Sequence, residues 1–286
     1  AVEAVGCITT YHIPPSTVAM TNAVDAARAG VTMIEHHYAY AESALDRQVQ
    51  DFPRDYNYND ENARFRHAGK VWTEAGRTAK DRLLGEVADS LAAYGVTMLP
   101  TRVVYEANRD ILRAQSLPWH EKYTHQALIN WNLPNPAYHG SYHYDWTSDD
   151  EYYWTYAFDL WGDLIYEFNK RGGRVAYGTD DNYIWATPGF SNVRELQLIR
   201  ETGLHTLEVL ESATHNSAET LRQPDLGLVR PGGERLVRVF REGYDADFLP
   251  ATVGQTDRSA DHLVTLLGID RQTGLKLDRF VESRLR

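Results

Sequence analysis

The chain has 286 residues, of which 43% are hydrophobic and 24% are charged, a composition typical of a globular protein. This length suits one barrel domain of about 250 residues or two smaller domains. The formal net charge of −11 argues against non-specific binding to nucleic-acid phosphates, and no apolar run approaches the ~20 residues of a membrane-spanning helix. We therefore expect a soluble protein, cytoplasmic or secreted, whose partner is a small molecule rather than nucleic acid or membrane.

The single cysteine, Cys7, excludes an internal disulfide framework and a multi-cysteine zinc site. Because it lies in an apolar run, we expect its side chain to be buried. The chain begins with Ala1-Val2-Glu3, without an initiator methionine or a signal-like segment. We interpret this as a processed end; a maturation cleavage, a signal peptide lost further upstream and a sequence that starts late are all open alternatives.

Strand-like and helix-like segments alternate along the chain. Segments rich in apolar and β-branched residues predict four strands, at residues 5–13, 31–35, 96–100 and 174–180. Segments with helical patterns or helix-stopping glycines lie between and after them, at residues 16–30, 63–94, 149–170, 192–201 and 206–221. This strand-helix-strand order favours a parallel sheet in an α/β fold.

Residues 105–150 interrupt the alternation with prolines and with an aromatic and polar cluster at residues 138–146. So long an excursion is more often a functional lid than an idle loop, although most of its aromatic side chains are expected to serve packing. Three of its residues are candidates for contact with a substrate: Tyr105, His139 and His143. A sugar- or peptide-binding module made of this lid is a further alternative.

Three side chains that bind metals stand where predicted strands end: His12, His36 and Asp180. The carboxyl ends of parallel barrel strands open on one face, where active sites are found. Imidazole nitrogen and carboxylate oxygen suit Zn2+ or another divalent first-row metal, and such a metal activates water for attack on a carbonyl. We therefore predict a hydrolytic metal site, with Asp180 as the catalytic carboxylate that moves the proton.

Each of these residues also has an ordinary structural interpretation. His12 could hydrogen-bond the turn that follows its strand. His36 and His37 point to opposite faces of an extended strand, so at most one of them is expected in the site, and we favour His36. Either Asp180 or Asp181 could cap the next turn through its side chain, and we favour Asp180 as the ligand.

The segments TTYHI, GVTMIEHH, GVTMLPT and GGRVAYGTDDN, taken in order, resemble strands five to eight of the metal-dependent amidohydrolase superfamily. The stretch GFSNVRELQLIRETGLHTLEVLESATHNSAETL is similar to the closing helices of its imidazolonepropionase and prolidase-like branch. The resemblance covers about residues 5–222. It implies that residues 1–222 are the C-terminal half of a (β/α)8 TIM barrel, that residues 223–286 are a small β appendage contributing to a β-sandwich, and that the protein hydrolyses a C–N bond in an amide or cyclic amide.

The resemblance also implies a role for each ligand. His12 matches the strand-five ligand, His36 the strand-six ligand and Asp180 the strand-eight carboxylate, which together would hold one or two ions, Zn2+ in the first place and Mn2+ or Fe2+ as alternatives. The superfamily's His-x-His pair of strand one and carboxylated lysine of strand four have no counterpart before His12. We therefore expect a partner chain or N-terminal segment carrying strands one to four, a higher oligomer, and no activity of this polypeptide alone. The alternative is a catalytically silent barrel half that stabilises or regulates a partner subunit.

Overall fold

The structure, a computed structural model, describes residues 6–14, 18, 20–46, 61–137 and 142–228. The chain divides into two units, and nearly all of the described residues belong to the first, Ala1–Pro224. From residue 229 onward the predicted appendage lies outside the described residues. Every helix in the described part of the chain is too short or too polar to cross a membrane.

Four short parallel strands form one sheet in the order β1-β2-β3-β4. They are Thr10–Tyr11 (β1), Met33–Glu35 (β2), Thr97–Leu99 (β3) and Arg174–Val175 (β4). Neighbours in sequence are neighbours in the sheet, and Ile34 lies level with Tyr11 on one side and with Met98 on the other. The predicted parallel sheet is confirmed, and the carboxyl ends of its strands open at one common edge.

Helices fill the connections between strands and follow the last strand. Before β3 they are α1 (Ala23–Arg28), α2 (Tyr40–Ala44), α3 (Glu61–Thr78), α4 (Lys80–Arg82) and α5 (Ala88–Ala93), with a π-helical turn at Leu83–Val87. Between β3 and β4 they are α6 (Arg102–Arg109), α7 (Ile111–Gln115), α8 (His120–Tyr123), α9 (Gln126–Asn132) and α10 (Ser148–Lys170). After β4 come α11 (Phe190–Glu201), α12 (Thr206–Glu211), a second π-helical turn (Ser212–Asn216) and α13 (Ser217–Thr220). The predicted α/β alternation is therefore confirmed.

The long helix α10 illustrates how the sequence starts and stops a helix. Thr147 and Asp150 form a capping box that satisfies the first free backbone N–H groups. The acidic residues of the first turn interact favourably with the partial positive charge at this end of the helix. At the other end Gly172 adopts a φ of 80°, which suits a residue that terminates a helix. Gly173 must also be glycine, because a Cβ atom there would lie 2.4 Å from the ring of Phe168.

Helix α10 packs against α3, α5 and α6, and its buried side chains form much of the core. Trp154 and Trp161 of α10 and Trp72 of α3 are all at least 98% buried. Arg66 of α3 ties this pair of helices together, since its Nε donates to Asp150 Oδ1 at 2.8 Å. Much of the core in the described residues thus lies between α10 and the helices that pack against it.

One local expectation was wrong. Cys7 is exposed rather than buried, because β1 begins only at Thr10 and Cys7 therefore lies outside the sheet. The segment at residues 105–150, for which no helix was predicted before residue 149, contains most of α6 and all of α7 to α9. Its prolines lie between and after these short helices, where proline ends one helix without preventing the next.

Candidate metal centre

The carboxyl edge of the sheet gathers the residues predicted as metal ligands. His12 directly follows β1, His36 directly follows β2, and Asp180 lies five residues beyond β4. Parallel strands that end at one edge bring together residues that are far apart in sequence. We call this group, with Glu35 described below, the metal centre.

His12 and Asp180 each lie near His36, although of these three only His12 and His36 belong to the set of ligand atoms that all lie within 4.8 Å of one another. The rings of His12 and His36 are 4.6 Å apart between centroids and stand at 74° to each other. His36 Nε2 lies 3.7 Å from Asp180 Oδ2. Two ligand atoms bound at about 2.1 Å to one tetrahedral ion lie roughly 3.4 Å apart, so this separation is close to that needed for a shared ion.

Glu35 is a fourth candidate ligand, which sequence reasoning missed. The ligand atoms of His12, Glu35 and His36 all lie within 4.8 Å of one another, and Glu35 Oε2 is 3.9 Å from His36 Nε2. Strict alternation along an extended strand places Glu35 and His36 on opposite faces. The φ of 65° at His36, in the left-handed region, ends that alternation. The sequence signal for Glu35 was its position directly before His36. Both side chains reach the metal centre because the backbone at His36 is left-handed.

Left-handed backbone at residues other than glycine recurs along this edge. His36 has a φ of 65°, and Thr101 and Asp180 each have a φ of 49°. Conformations of this kind cost on the order of 1–3 kcal/mol each and concentrate at functional sites, where the surrounding structure holds them. At His36 one of the restraints is its backbone N–H, which donates to the carbonyl of Leu99 at 2.9 Å.

Both histidines of the metal centre are neutral near pH 7. Burial lowers the pKa of His36 to about 3, and His12 and Arg64 add to the effect. Desolvation and then Arg64 lower the pKa of His12, against an opposing influence of Glu35. Neutral imidazole is the form that binds a metal, so the protein holds both rings in the ligating state.

Asp180 and Asp181 have different surroundings. Desolvation, followed by the charges of Glu35 and Asp181, raises the pKa of Asp180 above its ordinary value, and its side chain is 48% exposed. Asp181 Oδ2 instead accepts a hydrogen bond from the hydroxyl of Ser191 at 2.9 Å, near the start of α11. The side chain of Asp181 is therefore engaged by a residue of α11, whereas that of Asp180 lies at the metal centre.

His37 points into an aromatic environment that we call the His37 cage. Ring centroids of the cage lie 4.2–5.7 Å from that of His37, and its members are Tyr38, Tyr105, Trp154 and Trp161. The hydroxyl of Tyr105 donates to that of Tyr38, whereas neither ring nitrogen of His37 has a hydrogen-bond partner among the described residues. Burial holds the pKa of His37 well below its usual value. His37 is therefore a neutral packing residue.

The three candidates for substrate contact are placed differently. Tyr105 borders the metal centre, since its ring centroid is 5.6 Å from that of His36. His143 is buried, its Nε2 is 2.8 Å from Asn108 Oδ1, and burial lowers its pKa to about 3. His139 lies outside the described residues. The structure thus brings Tyr105 to the metal centre, while His143 is engaged by other protein groups.

No family model matches the sequence, and no curated protein matches it significantly. Solved structures with similarity to the chain include an uncharacterized protein at 17% identity (TM-score 0.42), an amidohydrolase at 20% (0.40) and a Xaa-Pro dipeptidase with bound methionine in the active site at 16% (0.43). Each alignment covers 81% of this chain and 37–38% of the other, so the chain spans less than two fifths of the length of these structures. What the protein does is therefore inferred from the side chains of the metal centre.

Proposed function

We propose that this protein is a metal-dependent hydrolase that cleaves the C–N bond of an amide or cyclic amide. The observation that carries the proposal is the cluster of His12, Glu35 and His36 at the carboxyl edge of a parallel sheet, with Asp180 Oδ2 3.7 Å from His36 Nε2. Two neutral imidazoles and two carboxylates are a donor set that suits a divalent first-row ion, Zn2+ before Mn2+ or Fe2+.

The residues of the metal centre divide the work. His12 and His36 would hold one or two ions through imidazole nitrogens, and Glu35 and Asp180 through carboxylate oxygens. When bound, such an ion polarises a carbonyl and lowers the pKa of water. Asp180 accepts a proton from the attacking water while the water oxygen bonds to the carbonyl carbon. Asp180 then returns that proton to the nitrogen as the C–N bond breaks. The half-exposed side chain of Asp180 supports this role, because a carboxylate that faces solvent can reach an attacking water.

We further propose that the active form contains more strands than those described here, in a (β/α)8 barrel completed by a preceding segment or a partner chain and assembled into a higher oligomer. Within the described residues β1 pairs only with β2, and β4 pairs only with β3. Open sheet edges expose unpaired backbone groups, which proteins normally cover or pair. This proposal predicts weak metal binding by the polypeptide on its own.

Elemental analysis of the purified native assembly, followed by two variants, tests the function. We expect about one or two divalent ions per chain, and His12→Ala should lower the metal content. Asp180→Ala should lower kcat for amide hydrolysis by about 10²- to 10⁴-fold, the usual contribution of a positioned proton-transfer group.

Matched controls separate the site from general damage. His125→Ala and Asp163→Ala remove the same side chains from exposed positions outside the metal centre and should leave metal content and kcat unchanged. A metal-free native assembly, or unchanged turnover in both site variants, would refute the catalytic proposal and favour a silent barrel half that stabilises a partner.

A further inference from the structure

Thr101 is the one described residue whose side chain hydrogen-bonds to the ring of His36. Its Oγ1 lies 2.6 Å from His36 Nδ1 and also donates to the carbonyl oxygen of Pro100 at 2.7 Å. Thr101 is 2% exposed, so water does not compete for these contacts. It also holds a φ of 49°, an unusual conformation for a β-branched residue.

The single proton of the Thr101 hydroxyl couples the directions of these two hydrogen bonds. A threonine hydroxyl has one proton, and a carbonyl oxygen can only accept. When the Thr101 hydroxyl donates to Pro100, its oxygen accepts a proton from His36 Nδ1, and both contacts are then hydrogen bonds. The neutral ring of His36 then carries its proton on Nδ1 and a lone pair on Nε2.

That lone pair faces the carboxylates of the metal centre. His36 Nε2 lies 3.7 Å from Asp180 Oδ2 and 3.9 Å from Glu35 Oε2. These separations exceed the 2.7–3.2 Å of a good N–H···O bond, so neither carboxylate receives a proton from Nε2 at hydrogen-bond distance. In the opposite tautomer, Nε2–H would have no acceptor at hydrogen-bond distance. The hydroxyl of Thr101 would then donate to Nδ1, and its bond to Pro100 would be lost.

We propose that Thr101 is a positioning residue that holds His36 in the Nδ1–H tautomer and so presents Nε2 as a metal ligand. The importance of the metal rests on the proposed function, whereas the tautomer is a property of the protein itself. Groups that hold the second nitrogen of a ligating histidine commonly change metal affinity by 10- to 100-fold when removed.

The test is the tautomer of His36 in the full chain, read at neutral pH from two-bond and three-bond 1H–15N correlations of protein labelled with [15N]histidine. The His36 signals are identified by their loss in His36→Gln. We expect a pyrrole-type Nδ1 and a pyridine-type Nε2 in the unaltered chain and in Thr101→Ser, which keeps the hydroxyl. Thr101→Val keeps the branched shape but not the hydroxyl, and should give a mixture of both tautomers.

Titration of the native assembly with Zn2+ alone, unaltered and with each Thr101 variant, provides the second readout. We expect Thr101→Val to bind Zn2+ about 10- to 100-fold more weakly than the unaltered chain, and Thr101→Ser to restore most of the affinity.

A pyridine-type Nδ1 in the unaltered chain, or an unchanged tautomer in Thr101→Val, would overturn the inference. If Thr101→Val does not fold, the first of these outcomes still decides, since it requires no variant at position 101. Failure of all proteins, including the native assembly, to bind Zn2+ would instead count against the proposed function, with the tautomer result still standing.

Discussion

The metal centre and the His37 cage share a wall, because Tyr38 and Tyr105 each contact the rings of both His36 and His37. On one side of this wall imidazoles, carboxylates and left-handed backbone come together. On the other, aromatic rings surround His37 mostly edge to face, and its nitrogens have no hydrogen-bond partner among the described residues. Two adjacent histidines therefore occupy environments of opposite character.

The difference shows that burial alone does not identify a ligand. Burial lowers the pKa of both His36 and His37, so each is neutral near pH 7. What separates them is the set of atoms around each ring. His36 has a hydroxyl on one nitrogen and carboxylates near the other, whereas His37 has ring faces and edges. The chemistry of the site follows from these partners.

The largest expected effect comes from truncating Trp154, one of the aromatic residues of the His37 cage. Trp154 is 1% exposed and its Nε1 donates to the carbonyl of Phe65 at 2.7 Å. Trp154→Ala should lower the free energy of unfolding by about 3–5 kcal/mol, as cavities of this size do. Urea denaturation measures this change. The control is Trp131→Ala, where the side chain is 41% exposed and the loss should be much smaller. Equal losses in the two variants would show that the cage is not a principal part of the core.

A second effect depends on pH and concerns a buried histidine outside both regions. Burial lowers the pKa of His143 to about 3, whereas an unfolded histidine has a pKa near 6.5. Below pH 6.5 the unfolded chain therefore binds a proton that the folded chain does not, and stability is lost as pH falls from 6.5 towards 3. At about pH 4.5 this loss amounts to about 2–3 kcal/mol from His143.

The variant His143→Gln isolates this contribution, because a glutamine amide can still donate to Asn108 but does not titrate in this range. We expect unfolding free energies at pH 7 and about pH 4.5 to differ less in the variant than in the unaltered chain. Urea denaturation at the two pH values provides the comparison. An identical acid loss in both proteins would mean that His143 does not stay neutral in the folded state.

Much of the fold and of the metal centre could be predicted from sequence because both depend on strand order. Short β-branched segments separated by helices predict a parallel sheet, and residues that end such strands share an edge. That reasoning selected His12, His36 and Asp180, and in the structure the His12 ring and the Asp180 carboxylate both lie near the ring of His36. Long-range proximity followed from topology and needed no knowledge of side-chain packing.

The parts that could not be predicted depend on local backbone conformation. Glu35 and Thr101 reach His36 where the chain turns left-handed at His36 and Thr101, and ordinary propensities give such conformations to glycine or asparagine. The helices within residues 105–150 were also missed, because prolines mark breaks in a helical pattern without showing how much helix remains on either side. In both cases the structure is held by contacts between segments far apart in sequence.

The smallest expected effect on stability is the sharpest test of the comparison. In His37→Phe a ring of similar size replaces an imidazole whose two nitrogens have no partner among the described residues, so an unsatisfied buried polar group is removed. Stability should stay the same or rise by about 1 kcal/mol. Metal content of the native assembly should not change. The matched variant His36→Phe makes the same substitution one residue earlier and should reduce metal content, since Nε2 of His36 faces the carboxylates. Loss of metal in His37→Phe, with its stability retained, would mean that the shared wall of Tyr38 and Tyr105 transmits changes from the cage into the centre, and that the two regions act as one unit.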